Sequence, residues 1–252
     1  MTQVIAVANQ KGGVGKTTTA INLGAALAVL DQRILLIDCD PQGNASRGLG
    51  VEAVPPHLYQ VMVGEATLVE AITTTKVPSL DIVPSNRDLV GVEVEFVGRA
   101  GWEMTLRRHL ASLGGTYDTV LIDCPPSLGH LTVNALVAAT GVLVPLQCEY
   151  YPLEGVSELV ATIRRVRRNL NPELTISGIL LTMCDERTNL ARDVAREVRK
   201  HFADTVYETV VPRNVRLAEA PSHGVSILQH DIKSRGAEAY LAVAREYLRR
   251  AA

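Results

Sequence analysis

Val4-Ile5-Ala6-Val7-Ala8-Asn9-Gln10-Lys11-Gly12-Gly13-Val14-Gly15-Lys16-Thr17-Thr18-Thr19-Ala20 is the stretch on which the fold turns. It reads as a short apolar strand, Val4–Ala8, then a glycine-rich loop, then a helix opening at about Lys16. A strand, such a loop and a helix N-terminus in that order form the arrangement that binds nucleotide phosphates. Gly12, Gly13 and Gly15 lack a Cβ, so the backbone around Val14 can turn its N–H groups inward around an anion. The helix N-terminus adds unpaired donors and a dipole that favours negative charge. Lys16 has the reach for β- and γ-phosphates, the Thr17 hydroxyl is placed for Mg²⁺, and Thr18 can donate to an α-phosphate.

Further along, Ile34–Ile37, Val120–Ile122 and Val142–Leu146 are also continuous apolar runs rather than alternating ones. That is the pattern of parallel strands covered by helices on both faces. Ile176–Leu181 is a fifth strand of this kind and Leu80–Val83 a shorter sixth. Helical patterns fall between them at Thr17–Leu30, Leu153–Asn169 and Leu190–Phe202, the last two with many Arg and Glu residues on their outward faces. The alternation predicts an α/β, doubly wound, mostly parallel sheet. No repeat or linker divides residues 1–252, and Gly48–Pro56 is the nearest thing to a break, so one domain is expected.

Composition narrows the setting. The 252 residues are 47% hydrophobic and 21% charged, with aromatics at only 4%, so the core has to be built from aliphatic side chains. A formal net charge of −2 gives no global attraction to nucleic acid, which leaves a local patch as the only route to one. The longest nearly apolar stretch, Val133–Leu146, is too short to span a bilayer, and no targeting segment is visible, so a cytoplasmic setting is expected. Cys39, Cys124, Cys148 and Cys184 lack close metal-ligand spacing. Each follows an apolar run, which predicts buried, reduced thiols at strand ends along one edge of the sheet.

Two strands end in carboxylates: Ile37-Asp38-Cys39-Asp40-Pro41-Gln42-Gly43-Asn44 and Ile122-Asp123-Cys124-Pro125-Pro126-Ser127. Ligands of open parallel sheets sit beyond the C-terminal strand ends, so these side chains should converge on the phosphate loop. Asp123 suits the acid that holds Mg²⁺ through a water. Asp38 and Asp40 lie two apart on an extended segment and face one side, one suited to the metal shell and the other to orienting an attacking water. The prolines and Gly43 mark both segments as loops able to move with the γ-phosphate.

The loop departs from the usual G-x-x-x-x-G-K-[ST] pattern, because Gln10 stands where its first glycine should be, and Lys11 follows. Lys11-Gly12-Gly13-Val14-Gly15-Lys16-Thr17-Thr18 resembles instead the deviant P-loop, whose mark is that early lysine. With the two aspartate segments, Glu149-Tyr150-Tyr151 and Val211-Pro212-Arg213-Asn214-Val215-Arg216-Leu217-Ala218-Glu219-Ala220-Pro221, the chain resembles the ParA partition ATPases, in the short chromosomal form called Soj. The motifs run from residue 9 to residue 221.

The resemblance implies a Mg²⁺-dependent ATPase in which ATP drives a sandwich homodimer. Lys11 would act on the phosphates held by the other subunit, Lys16 on its own, and Asp40 would position the hydrolytic water. Pro212, Arg213 and Asn214 would form the purine pocket, with Met183 beside it. Such dimers bind DNA without sequence preference. Arg164, Arg165, Arg167, Arg168, Arg192, Arg196, Arg199 and Lys200 are candidates for phosphate contact, and Arg187 and Arg216 match the positions implicated in the family. A ParB-like centromere-binding protein would stimulate hydrolysis, and a nucleoid-associated location without stable membrane association follows. Because the chain starts almost at the first strand, the N-terminal helix-turn-helix extension of longer plasmid relatives is not expected.

Two other readings share the deviant loop. A MinD-like membrane-positioning ATPase needs a C-terminal amphipathic segment on lipid, and Tyr240, Leu241, Val243, Ala244, Tyr247 and Leu248 recur at roughly helical spacing. Packing of that segment onto the sheet is the preferred expectation. An iron–sulfur reductase of the nitrogenase-iron-protein type needs paired cysteines bridging a cluster between subunits, and only Cys39 stands in a similar Cys-Asp-Pro context.

Overall fold

The computed structural model describes residues 2–148, 152–185 and 187–251, and for residues 152–156 the backbone alone. The Glu149-Tyr150-Tyr151 motif lies outside the described residues. Among the described residues seven strands form one sheet: β1 (Gln3–Val7), β2 (Ile34–Asp38), β3 (Thr73–Thr74), β4 (Leu80–Val83), β5 (Thr119–Asp123), β6 (Gly141–Gln147) and β7 (Thr175–Thr182). Their order across the sheet is β3-β4-β2-β5-β1-β6-β7, with all pairs parallel except the antiparallel β3–β4 edge. The six expected strands are all present, within two residues of the expected ends. The two-residue edge strand β3 carries too short a pattern to be read.

Eleven α-helices connect and cover the strands among the described residues. They are α1 (Lys16–Val29), α2 (Asn44–Gly48), α3 (Leu58–Val63), α4 (Gly91–Glu95), α5 (Thr105–Ala111) and α6 (His130–Ala138). After these come α7 (Pro152–Asn169), α8 (Asn189–Phe202), α9 (Val215–Glu219), α10 (Ile227–His230) and α11 (Arg235–Ala251).

Strand side chains alternate between two cores, one on each face of the sheet. Leu35, Ile37, Val120 and Ile122 face one core with Val92, Leu106, Leu136, Ile163 and Val198 from α4 to α8. Ile34, Leu36 and Leu121 face the other, filled by α1 and α11 through Leu23, Leu27, Tyr240 and Val243. Every residue of β2 and of β5 is buried, which is why both read as unbroken apolar runs up to their terminal aspartates. The alternation also sorts the acids: Asp38 and Asp123 share the parity of Leu36 and Leu121, and so lie on the α1 side of the sheet.

The apolar stripe of α11 is buried against α1 and this second core, in agreement with the packing expectation. Among the described residues, no helix is long and apolar enough to cross a membrane.

The cysteines follow four strand ends on one edge, as expected, and Cys39 and Cys124 are free and buried. Cys148 and Cys184 depart from the expectation of reduced thiols, because they form a disulfide. The reason is register. Gln147 pairs with Thr182 on the neighbouring parallel strand, so residues leaving β6 and β7 emerge side by side. The two Cα atoms are 5.3 Å apart, within the span of a disulfide.

Candidate nucleotide site

The phosphate loop leaves β1 and is held at both ends. Asn9 donates from Nδ2 to the Pro145 carbonyl at 2.8 Å and accepts the Lys11 N–H at 3.0 Å. Thr182 at the end of β7 donates its hydroxyl to the Val14 carbonyl at 2.9 Å. Gly13 and Gly15 have φ of +74° and +88°, a region costly for any residue with a Cβ. Around Gly12 and Gly13 no atom lies within 4 Å of where a Cβ would stand, which leaves an open cradle above the loop.

Lys16 opens α1 and is buried, with its ammonium donating to the Lys11 carbonyl at 3.1 Å. Burial lowers its pKa, against the opposing pull of Asp123, Cys124 and Asp40. The Lys11 residue itself is exposed at the rim of the loop.

Asp38 and Asp123 are register partners on β2 and β5, and both are fully buried. Their environments differ. Asp38 is saturated by the loop that follows it: Oδ2 accepts the Ser46 N–H at 2.8 Å and the Ser46 hydroxyl at 2.7 Å, and Oδ1 accepts the Asp40 N–H at 3.3 Å. Burial nonetheless raises its pKa to about 6, partly offset by the bonds from Ser46. Asp38 therefore shapes the 38–46 loop, with its oxygens already engaged.

Asp123 has two buried carboxylate oxygens and, among the described residues, no hydrogen-bond partner for either. Its pKa is pushed well up by burial and by the neighbouring Asp38 charge. A buried carboxylate without donors is costly unless a cation shares its site. The observation thus fits a Mg²⁺ shell at Asp123 with the Thr17 hydroxyl, both on the α1 side.

Asp40 is buried at 7% exposure; its Oδ1 accepts the Gln42 N–H at 2.9 Å, and its carbonyl accepts the Ser85 hydroxyl at 2.7 Å. Ser85 also donates its N–H to Ser46 Oγ at 3.0 Å, so β4 braces the whole turn. At Gly43, φ is +63° and a Cβ would fall 2.6 Å from the Ser85 carbonyl oxygen, so only glycine fits there. After β5, Glu93 on α4 accepts the His130 N–H at 3.1 Å, and so caps α6 just beyond the Pro125-Pro126 loop.

A cavity of about 320 Å³ opens beside the phosphate loop. Gly15 and Thr18 line one wall; Met183, Pro212, Arg213 and Asn214 line another. The chain brings these distant segments together through β7: the Cys184 N–H donates to the Val211 carbonyl at 3.1 Å, and the Arg213 N–H to the Cys184 carbonyl at 3.2 Å. The Asn214 side chain caps α9 by accepting the Arg216 N–H at 2.8 Å.

A family model described as an AAA domain matches residues 2–176. The chain is 53% identical to the sporulation initiation inhibitor protein Soj of Bacillus subtilis over 98% of each chain. It is 54% identical to the chromosome partitioning protein ParA of Caulobacter vibrioides, over 98% of this chain and 94% of that one. The chain belongs to the Soj/ParA family of chromosome-partitioning ATPases. Among solved structures, a protein described as cobyrinic acid a,c-diamide synthase from Mycobacterium smegmatis, with bound ADP and magnesium, is 41% identical. It aligns with a TM-score of 0.88 over 99% of this chain and 95% of that one.

Several residues of this Soj/ParA site escape the sequence motifs. Thr182 anchors the loop, and Tyr240 of α11 lines the cavity and shares a 3.1 Å hydrogen bond with the Thr19 hydroxyl. Tyr240 sits within the amphipathic tail, where its helical spacing marks it as core and nothing marks it as a wall of a site. Ser46 and Ser85 are single serines whose role exists only in three dimensions. The two arginines singled out from the family pattern are exposed and ion-paired: Arg187 with Asp185 at 2.8 Å and Arg216 with Glu219 at 2.8 Å.

Proposed function

We propose that this chromosome-partitioning ATPase works as an ATP-gated homodimer on DNA. The observation that carries the reading is the division between its two lysines: Lys16 is buried against its own loop, whereas Lys11 is exposed at the rim. A rim lysine suits contact with phosphates held by a second copy, where it would counter charge on the transferring phosphoryl group as an arginine finger does.

ATP and Mg²⁺ are the cofactors. The loop N–H groups and Lys16 hold the β- and γ-phosphates, Thr18 the α-phosphate, and the cavity of Met183, Pro212, Arg213 and Asn214 takes the adenine. Thr17 and Asp123 hold Mg²⁺, which neutralises phosphate charge when bound. Asp40 positions the attacking water. Asp38 fixes the turn that carries Asp40.

The dimer binds double-stranded DNA without sequence preference through Arg187 and Arg216, each exchanging a carboxylate for a DNA phosphate. This gives a nucleoid-associated protein in the cytoplasm. A ParB-like centromere-binding partner stimulates hydrolysis and so releases the dimer. The test is ATPase activity with and without DNA and the ParB-like partner, beside sedimentation of the ATP-bound protein. Joint stimulation and an ATP-dependent dimer are expected. A monomer at saturating ATP, or turnover indifferent to both additions, would refute the reading.

A further inference from the structure

Away from the nucleotide site, a second cavity of about 590 Å³ lies along α8. Its volume falls within the range of small-molecule sites. Ala191 and Val210 provide apolar lining, and Arg192, Arg196 and Arg199 provide three guanidinium groups. No acidic side chain lines it among the described residues. Arg196 pairs with Asp193 at 2.8 Å, where both side chains are largely exposed. Arg192 bonds the neutral Asn189 side chain, and Arg199 donates to the Tyr207 and Glu208 carbonyl oxygens. The cavity is therefore positively charged.

Its remaining lining residue of chemical interest is Cys184, one half of the disulfide with Cys148. Both cysteines are 5% exposed, so bulk solvent has little access to the bond. The cavity supplies the approach, from the Cys184 side. Its charge selects what enters.

We propose that this cavity is a thiol–disulfide exchange site for small anionic thiols, acting on the Cys148–Cys184 bond. The entering thiolate attacks Cys184 Sγ and forms a mixed disulfide there, while the electron pair of the broken bond leaves on Cys148 Sγ, which takes a proton from water. A second thiolate attacks the outer sulfur of that mixed disulfide, and Cys184 leaves as a thiolate that is then protonated. The net change is one protein disulfide and two small thiols converted to two protein thiols and one small disulfide. The arginines act before the first step, by raising the local concentration of anions. Cys39 and Cys124 are buried and do not line the cavity, so they take no part.

The test uses the oxidised full chain, with thioglycolate as the anionic probe and cysteamine as the cationic one at equal thiolate concentration. Two free thiols per oxidised chain are expected after denaturation. With each rate divided by that probe's thiolate rate on a small neutral disulfide, which removes the difference in intrinsic nucleophilicity, thioglycolate should open the bond about tenfold faster than cysteamine at low ionic strength, the preference should fade as salt screens the cavity, and it should vanish in an Arg192→Ala, Arg196→Ala variant. In Cys148→Ser, which cannot form the bond, the disulfide of thioglycolate should leave one adduct on Cys184 by mass. Four free thiols in the oxidised chain, equal normalised rates for the two probes, or an adduct placed elsewhere would overturn the assignment.

Discussion

Asp38 and Asp123 are register partners on adjacent parallel strands, and among the described residues only Asp38 finds donors for its carboxylate. Burial and the Asp38 charge disfavour the ionised form of Asp123, against the pull of the nearby Thr17 hydroxyl and Lys16 ammonium. Asp123→Asn should therefore stabilise the nucleotide-free chain, by roughly 1–3 kcal/mol, while abolishing Mg²⁺-dependent ATP turnover. Denaturant melts without nucleotide or metal, paired with ATPase assays, check both halves. A destabilised variant would show that Asp123 has a structural partner after all.

Asp38 gives a pH dependence whose sign is fixed. Burial raises its folded pKa to about 6, above the value of the unfolded chain. The folded state then holds the proton more tightly, so this contribution to stability is complete below about pH 4 and is lost as pH rises through about 6. Its size is on the order of 2–3 kcal/mol by linkage. Melts of the metal-free protein across that window should show the fall, and Asp38→Asn should flatten it.

Asp40→Ala should leave ATP affinity within about threefold and slow hydrolysis by roughly 10²–10⁴. The Asp40 backbone is braced by Ser85, so the turn keeps its anchor without the side chain. Equilibrium nucleotide binding and single-turnover hydrolysis separate the two effects.

Gly15→Ala and Gly12→Ala form a matched pair. A Cβ at Gly15 would meet Met183 and Thr182 at 3.8–3.9 Å, an ordinary contact, so any cost comes from its φ of +88°. That cost is roughly 1–2 kcal/mol, and nucleotide affinity should fall with it as the loop shifts. Gly12 has open space and no such backbone requirement, so Gly12→Ala should fold as stably as the parent. Thermal melts and nucleotide titrations compare them.

Glu246→Ala tests the fold apart from the site. The Glu246 carboxylate accepts the Glu208 and Thr209 N–H groups and the Arg250 guanidinium. These bonds hold its pKa below the usual carboxylate value in spite of burial. Its loss should cost about 3 kcal/mol, read from denaturant unfolding, because the donors are left unpaired.

Much of this molecule is legible in its chain because parallel strands buried on both faces write themselves as unbroken apolar runs. The acids at residues 38, 40 and 123 are legible for a related reason, since each stands where such a run stops. Short helices such as α2 and α4 were hidden, because five residues carry too little periodicity. Thr182, Ser46 and Ser85 were hidden because they act through single hydrogen bonds across long sequence separations. The Cys148–Cys184 bond was misread as two thiols. Its two partners are 36 residues apart, and only the β6–β7 register brings them together.

The cavity beside the phosphate loop has one wall from the first residues of the chain and another from residues 182–240. The segment matched by the family model, residues 2–176, contains the loop and all three acids but none of that second wall. The loop and the acids are thus written in the first part of the chain alone, whereas the cavity needs both parts. During synthesis the division has a temporal side too: a growing chain has its phosphate loop from the start, but it cannot close the cavity until Tyr240 has been made.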